Sequence, residues 1–213
     1  GMGYNSKQHA ELYKGLKEFC GTLEIPVNEK DLTSVTLRGY YKPANNSITI
    51  NEKLGDTQKL STLSHELGHA LLHRDGKNKS ITQMEFEADA LSLMLENEFG
   101  IQPTIGRKNH LANHYRTYKA RLEKQISTLE SIDTILKNVS TVYTDYKDAL
   151  TSCIQKKLNN QQEKENISKE KVILDNSTYQ SPLAALNAKI ASFDKSEELT
   201  EDIGQTHKSG RSR

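Results

Sequence analysis

The stretch STLSHELGHALLHR, Ser61 to Arg74, decides how the rest of the chain is read. As a helix it turns ~100° per residue, so His65 and His69 lie ~40° apart on one face, one turn from each other. Leu60, Leu63, Leu67, Ala70 and Leu71 fall on the opposite side. Such a helix buries its apolar back in a core and presents two imidazoles to a cleft, a chelating arrangement for zinc. A purely structural helix has no use for that pair. Gly68 in the same stretch costs helix propensity, which implies a neighbouring backbone in close approach.

A catalytic zinc takes three protein ligands and leaves a fourth position for water. His73 follows His69 by four residues, but on a continuing helix it lies ~6 Å further along the axis. No glycine turns the chain back, so His73 is expected beside the site, at the helix end or supporting a ligand. The segment TQMEFEADALSLM, Thr82 to Met94, offers Glu85 and Glu87. Glu85 and Asp89 stand at i and i+4 on one face of a second helix, with Met84, Leu91 and Met94 on the other. A glutamate on the metal, with an aspartate accepting the free N–H of a ligand histidine, is an economical pair. Glu85 is therefore the expected third ligand and Asp89 the orienting acceptor. Glu87 has no acidic neighbour one turn on and is expected to be an ordinary surface charge.

Composition bounds the rest. Hydrophobic residues make up 34% of the 213, and mean hydropathy is −0.73, so part of the chain is expected to be extended or weakly packed. A net charge of +1 gives no electrostatic ground for nucleic acid as the main partner. Cys20 and Cys153 are far apart and lack CxxC spacing. They point to a reducing compartment and exclude a disulfide framework or a cysteine zinc site. No apolar run reaches the ~18 residues of a membrane span, and the polar N-terminus lacks an apolar leader core. The expectation is a cytoplasmic protein without a membrane partner, with Gly1 ahead of Met2 read as a tag remnant.

Glycine and proline are scattered up to Gly106 and then absent until Pro182. Residues 5–20 carry Leu12, Leu16 and Phe19 at helical spacing. SVTLRGYY and SITIN alternate with period two and flank the turn-forming Lys42-Pro43-Ala44-Asn45-Asn46, which predicts a β-hairpin. Val35, Leu37, Gly39 and Tyr41 share one face of it, and SITIN is an edge to which an extended peptide could pair. Asp56 is expected to cap the helix that runs to about His73, and a second helix over 81–99 stops at Gly100. From 107 to 157 apolar residues recur at three- and four-residue steps: Leu111, Tyr115, Tyr118, Leu122, Ile126, Leu129, Ile132, Leu136, Val139, Tyr143, Tyr146 and Leu150. That seam predicts one long helix or a helical hairpin, with self-association as one use for it. Beyond Leu158 the chain turns polar, and flexibility is expected apart from a short helix near 183–193. The expected architecture is α+β, divided into 2–105, which carries the metal site, 106–158, which is helical, and 159–213, the tail.

HELGHALLH, followed some twenty residues later by EFEADA, resembles the ImmA/IrrE-type zinc metallopeptidases, whose pattern is HExxH with a later ExEA(N/D) segment. RGYYKPANNSITINEKL is similar to that family's hairpin before the active-site helix. The resemblance covers residues 30–105. It implies a minimal, gluzincin-like zincin fold, a small sheet beside the HExxH helix, and zinc held by His65, His69 and Glu85 with Glu66 as the catalytic glutamate. The tyrosine-rich hairpin and EFEADALSLMLENEFGI look closer to zincin domains of conjugative elements similar to ArdC and LtrC. No adjoining helix-turn-helix or single-strand-binding module is evident. On this reading bound zinc drops the pKa of its water towards about 7, and Glu66 relays the proton to the leaving amine. Arg38, Tyr40, Tyr41 and His73 are candidates for oxyanion or substrate contacts. The implied partner is a protein or peptide substrate, of the kind cleaved by repressor-processing relatives. The competing reading is a mobile-element accessory protein, related to antirestriction or conjugation, that binds a partner or DNA with little or no proteolysis. The Arg107, Lys108, Arg116, Lys119, Arg121, Lys124 cluster supports it, although a solvated helix face accounts for those charges equally well.

Overall fold

The computed structural model describes residues 6–34, 36–75, 78–101, 105–124 and 130–177. These form five helices and a three-stranded sheet, an α+β arrangement that is mostly helical. Helix α1 (Ser6–Thr22) buries Leu12, Leu16, Phe19 and Cys20 along one side. Strands β1 (Val27–Lys30), β2 (Gly39–Lys42) and β3 (Ser47–Asn51) follow. The sheet order is β1-β3-β2, with β1 parallel and β2 antiparallel to β3.

SITIN is therefore the middle strand, with all five residues buried, and not the edge that its alternation suggested. The reason is β1, whose VNEK sequence carries one apolar residue and reads as a strand only through its pairing with β3. The edge beside α2 is β2. The hairpin is also shorter than the alternation of SVTLRGYY implied. Leu37 is 44% exposed, and Val35 lies outside the described residues. Asn51 explains the shortening. Its buried Nδ2 donates to Ser34 O and Leu37 O at 3.1 and 3.0 Å, which ties both carbonyls to the end of β3 instead of a strand ladder. The turn after β2 is a 3₁₀ turn (Pro43–Asn45) closed by Asn46 at φ +50°, and the Tyr41 hydroxyl donates to Asn46 Oδ1 at 2.7 Å.

Helix α2 (Asp56–Leu72) packs Leu60, Leu63, Leu67 and Ala70 into the core. Gly55 occupies its cap position, so Asp56 does not cap; it lies in the first turn, where its charge suits the helix dipole. Helix α3 (Ile81–Glu98) starts at Ser80, whose hydroxyl accepts from Gln83 N. Phe99 caps its other end, followed by Gly100 at φ +70°. The two helices touch backbone to backbone at Gly68: a Cβ there would sit 2.8 Å from Ala88 O. That contact is the close approach implied by a glycine inside the histidine motif, and it sets α2 and α3 near enough to share a site.

Helix α4 (Ile105–Lys124) lies on α3, with Tyr118 buried and stacked on Phe86. Helix α5 (Ile132–Ser177) returns along α1: Ile154 rests on Gly15, Lys157 pairs with Glu18 at 3.0 Å, and Tyr146 meets Phe19 edge-on. The apolar seam is thus two helices, and its register slips between them. In α5 Ile135, Val139, Leu150 and Ile154 are buried whereas Leu136 is 44% exposed, because a helix that restarts need not keep the earlier phase. Tyr118, Val139 and Leu150 are covered within one chain. Ile126 and Leu129 lie outside the described residues.

The chain divides into a first unit, 1–161, and a second, 162–213. The described part of the second, residues 162–177, is the last portion of α5, where the polar composition suggested flexible chain. No glycine or proline interrupts residues 107–181, so a polar sequence there still supports a helix. The expected short helix near 183–193 lies outside the described residues. No helix among the described residues is long and apolar enough to cross a membrane.

Candidate metal centre

Successive turns of α2 place His65 and His69 towards α3, and α3 answers with Glu85. His65 Nε2 and His69 Nε2 are 3.2 Å apart. The Glu85 carboxylate reaches both, with Oε2 at 3.2 Å from His65 Nε2 and Oε1 at 3.1 Å from His69 Nε2. Ligand bonds of ~2.0–2.1 Å in a tetrahedral zinc site require donor atoms roughly 3.3 Å apart, and this triad is spaced to match. The donor chemistry, two imidazoles and a carboxylate, is also a zinc set.

Each imidazole is held from behind. His65 Nδ1 lies 2.8 Å from Asp89 Oδ1, the orienting contact expected of a residue one turn beyond Glu85. His69 Nδ1 lies 2.9 Å from His73 Nδ1, and His73 Nε2 lies 3.2 Å from Glu87 Oε2. Lys79 Nζ closes the series at 2.7 Å from Glu87 Oε1. With Glu87 ionised, His73 donates to it from Nε2 and accepts at Nδ1 from His69, which leaves the His69 Nε2 lone pair facing the site. Glu87 is thus not the surface charge expected: it is 1% exposed. Helical angle told where Glu87 points from its own helix, but not that the end of α2 and Lys79 would be packed there.

Protonation follows from these contacts. Burial lowers the pKa of His73, outweighing Glu87, so the ring is neutral as the relay requires. Burial alone would lower His65 too, but hydrogen bonds to Asp89 and Glu85 and the charge of Glu66 hold it up at about 9 without metal. Burial opposes ionisation of Glu85, yet the two histidines keep its carboxyl well below the usual range. Glu66, buried beside the triad, goes the other way. Desolvation raises its pKa against the pull of His65 and His69, and the Tyr41 backbone amide hydrogen-bonds it.

A cleft of about 570 Å³ opens over His65 and Glu85, lined also by Leu37, Arg38, Gly39, Glu66 and Arg107 among others. A second lobe of about 490 Å³ is lined by Tyr40, Tyr41, Pro43, His69, Ile81 and Met84. Gly39, Glu66 and Glu85 border both lobes. Of the expected substrate contacts, Arg38 and Tyr40 are exposed on different lobes. Tyr41 turns its hydroxyl into the hairpin turn, and its backbone amide hydrogen-bonds Glu66.

One residue is placed differently from the sequence reading, and two escaped it. Arg107 turns inward to Ser61 O at 3.1 Å and to the Ser92 hydroxyl, so it is not part of an outer basic face. His110 Nδ1 sits 2.6 Å from Asp89 Oδ2, and His114 follows one turn later. Their His-x-x-x-His spacing repeats that of the motif on α2 and was the available signal.

The family model described as the IrrE N-terminal-like domain (Peptidase M78) matches residues 20–131. That is more than half the chain and contains every residue of the triad and its supports. The chain belongs to this family, whose members are typically metal-dependent peptidases, and membership suggests a metallopeptidase-like function. No curated protein and no solved structure matches the chain.

Proposed function

We propose that this chain is a zinc-dependent peptidase built on a minimal zincin fold, with zinc held by His65, His69 and Glu85. The observation that carries the reading is the meeting of those three side chains at 3.1–3.2 Å with Glu66 buried next to them. Bound zinc would acidify a water and polarise the scissile carbonyl. Glu66, its pKa raised by burial, takes up the water proton and returns it to the leaving amine. Asp89 and the His73–Glu87 relay keep the ligand rings in the tautomer that binds metal. The outer edge of β2, whose Gly39 borders both lobes, suits an extended peptide laid across the site.

On this reading the substrate is a regulatory protein of a mobile element, of the repressor kind, acted on in the cytoplasm, and the chain is similar to the ArdC/LtrC zincin domains. A second reading, an accessory protein binding DNA or a partner, is favoured by α4, where Lys108, Arg116, Lys119, Arg121 and Lys124 are exposed with Glu123 as the one acid. Affinity for duplex DNA falling steeply with salt would support it.

Glu66→Gln separates the two. It keeps zinc and fold and, in a peptide-library cleavage assay, should lose turnover by ~10²-fold or more. A variant that cleaves like wild type, or a wild type that cleaves nothing while both proteins retain the same biological activity, removes the peptidase reading.

A further inference from the structure

Helix α4 repeats the pattern that α2 presents. The Nε2 atoms of His110 and His114 are 3.2 Å apart, the same separation as between His65 and His69. Asp89 serves both pairs, one oxygen to each: Oδ1 on His65 Nδ1 at 2.8 Å and Oδ2 on His110 Nδ1 at 2.6 Å. A neutral histidine that donates to this carboxylate from Nδ1 carries its lone pair on Nε2, the form a metal ligand needs. Glu85 is shared as well, since its carboxylate lies within 4.8 Å of donor atoms of both His110 and His114.

We infer that His110 and His114, completed by Glu85, form a second site for a divalent transition-metal ion in the same cleft. Two imidazoles and one carboxylate select zinc, copper or nickel over magnesium or calcium. The site is weaker than the first for two visible reasons. The His110 side chain is 50% exposed, and Glu85 already contacts both histidines of α2. It needs no peptidase activity, and so goes beyond the proposed function.

Calorimetric titration of the metal-free full-length protein with zinc tests it. Wild type should take up two ions per chain in a tight and a weak class. His114→Ala should lose the weak class and keep the tight one; His69→Ala should lose the tight class. His114→Gln reads the same loss should the alanine variant unfold. A wild type that saturates at one ion, or a His114 variant that still binds two, overturns the second site. A tight class that survives His69→Ala would instead remove the first site, so the two failures are distinguishable.

Discussion

Helices α2 and α4 each carry two histidines one turn apart and each faces α3, yet only α2 is backed on both rings. There, His65 leans on Asp89 and His69 on the His73–Glu87–Lys79 series, of which Asp89, His73 and Glu87 are buried. On α4, His110 shares Asp89, while His114 leans on His110 and not on a buried carboxylate among the described residues. Spacing alone brings two imidazoles together, but buried partners fix their tautomer and direction. The candidate metal centre is thus the product of three helices and a turn, not of the pentapeptide that announces it.

The severest way to break this view is to end the chain at Gly106. Were α4 and α5 mere neighbours, residues 1–106 would fold and hold metal. Tyr118, Ile135, Val139, Leu150 and Ile154 are all buried. At ~1.5–3 kcal/mol for each large apolar side chain, their loss rivals the 5–15 kcal/mol typical of a whole domain. The truncated protein should show no cooperative thermal transition by circular dichroism. A folded, zinc-loaded fragment would show that α2 and α3 suffice.

Asp89→Ala probes the residue that both histidine pairs share. It should weaken tight zinc binding by ~10–100-fold, as loss of an orienting carboxylate generally does. Glu87→Gln sharpens the contrast, because it disturbs only the series behind His69. Its expected effect on zinc affinity is smaller, and His110 should be untouched in NMR spectra of the imidazole nitrogens. Equal losses in the two variants would mean that Asp89 acts through packing rather than through His65.

The smallest effect lies on the back of α2, away from the histidines. Glu29 accepts from the Tyr13 hydroxyl at 2.6 Å and pairs with Lys59 at 3.4 Å, tying β1 to α1 and α2. Burial opposes its ionisation, but Tyr13 and Lys59 prevail, and its pKa falls below the ordinary 4.5. A depressed folded pKa stabilises above the unfolded value, and that contribution is lost as pH falls through the folded one. Wild type should therefore lose melting temperature slightly faster than Glu29→Gln below about pH 4.5. Parallel curves would show the contact to be neutral.

What could be read from the chain follows the same physical divide. Helices α1, α2 and α3 were legible because each has a periodic apolar face whose burial is its reason to form. Strand β1 was not, since VNEK earns its place through hydrogen bonds to β3 and not through apolar alternation. The meeting of the first histidine pair with Glu85 and Asp89 was legible because these residues sit one turn apart on single helices. Glu87, Arg107 and His110 depend on which helix packs against which, and no pattern within one helix carries that. The persistence of α5 past Leu158 was signalled only by the lack of glycine and proline.

The central claim, that His65, His69 and Glu85 together hold one tight zinc, is tested most directly by metal analysis of purified wild type, Glu85→Ala and Glu87→Ala. The account predicts one tightly held zinc in the wild type, loss of it in Glu85→Ala, and retention at reduced affinity in Glu87→Ala. Full zinc in Glu85→Ala with none in Glu87→Ala would contradict it.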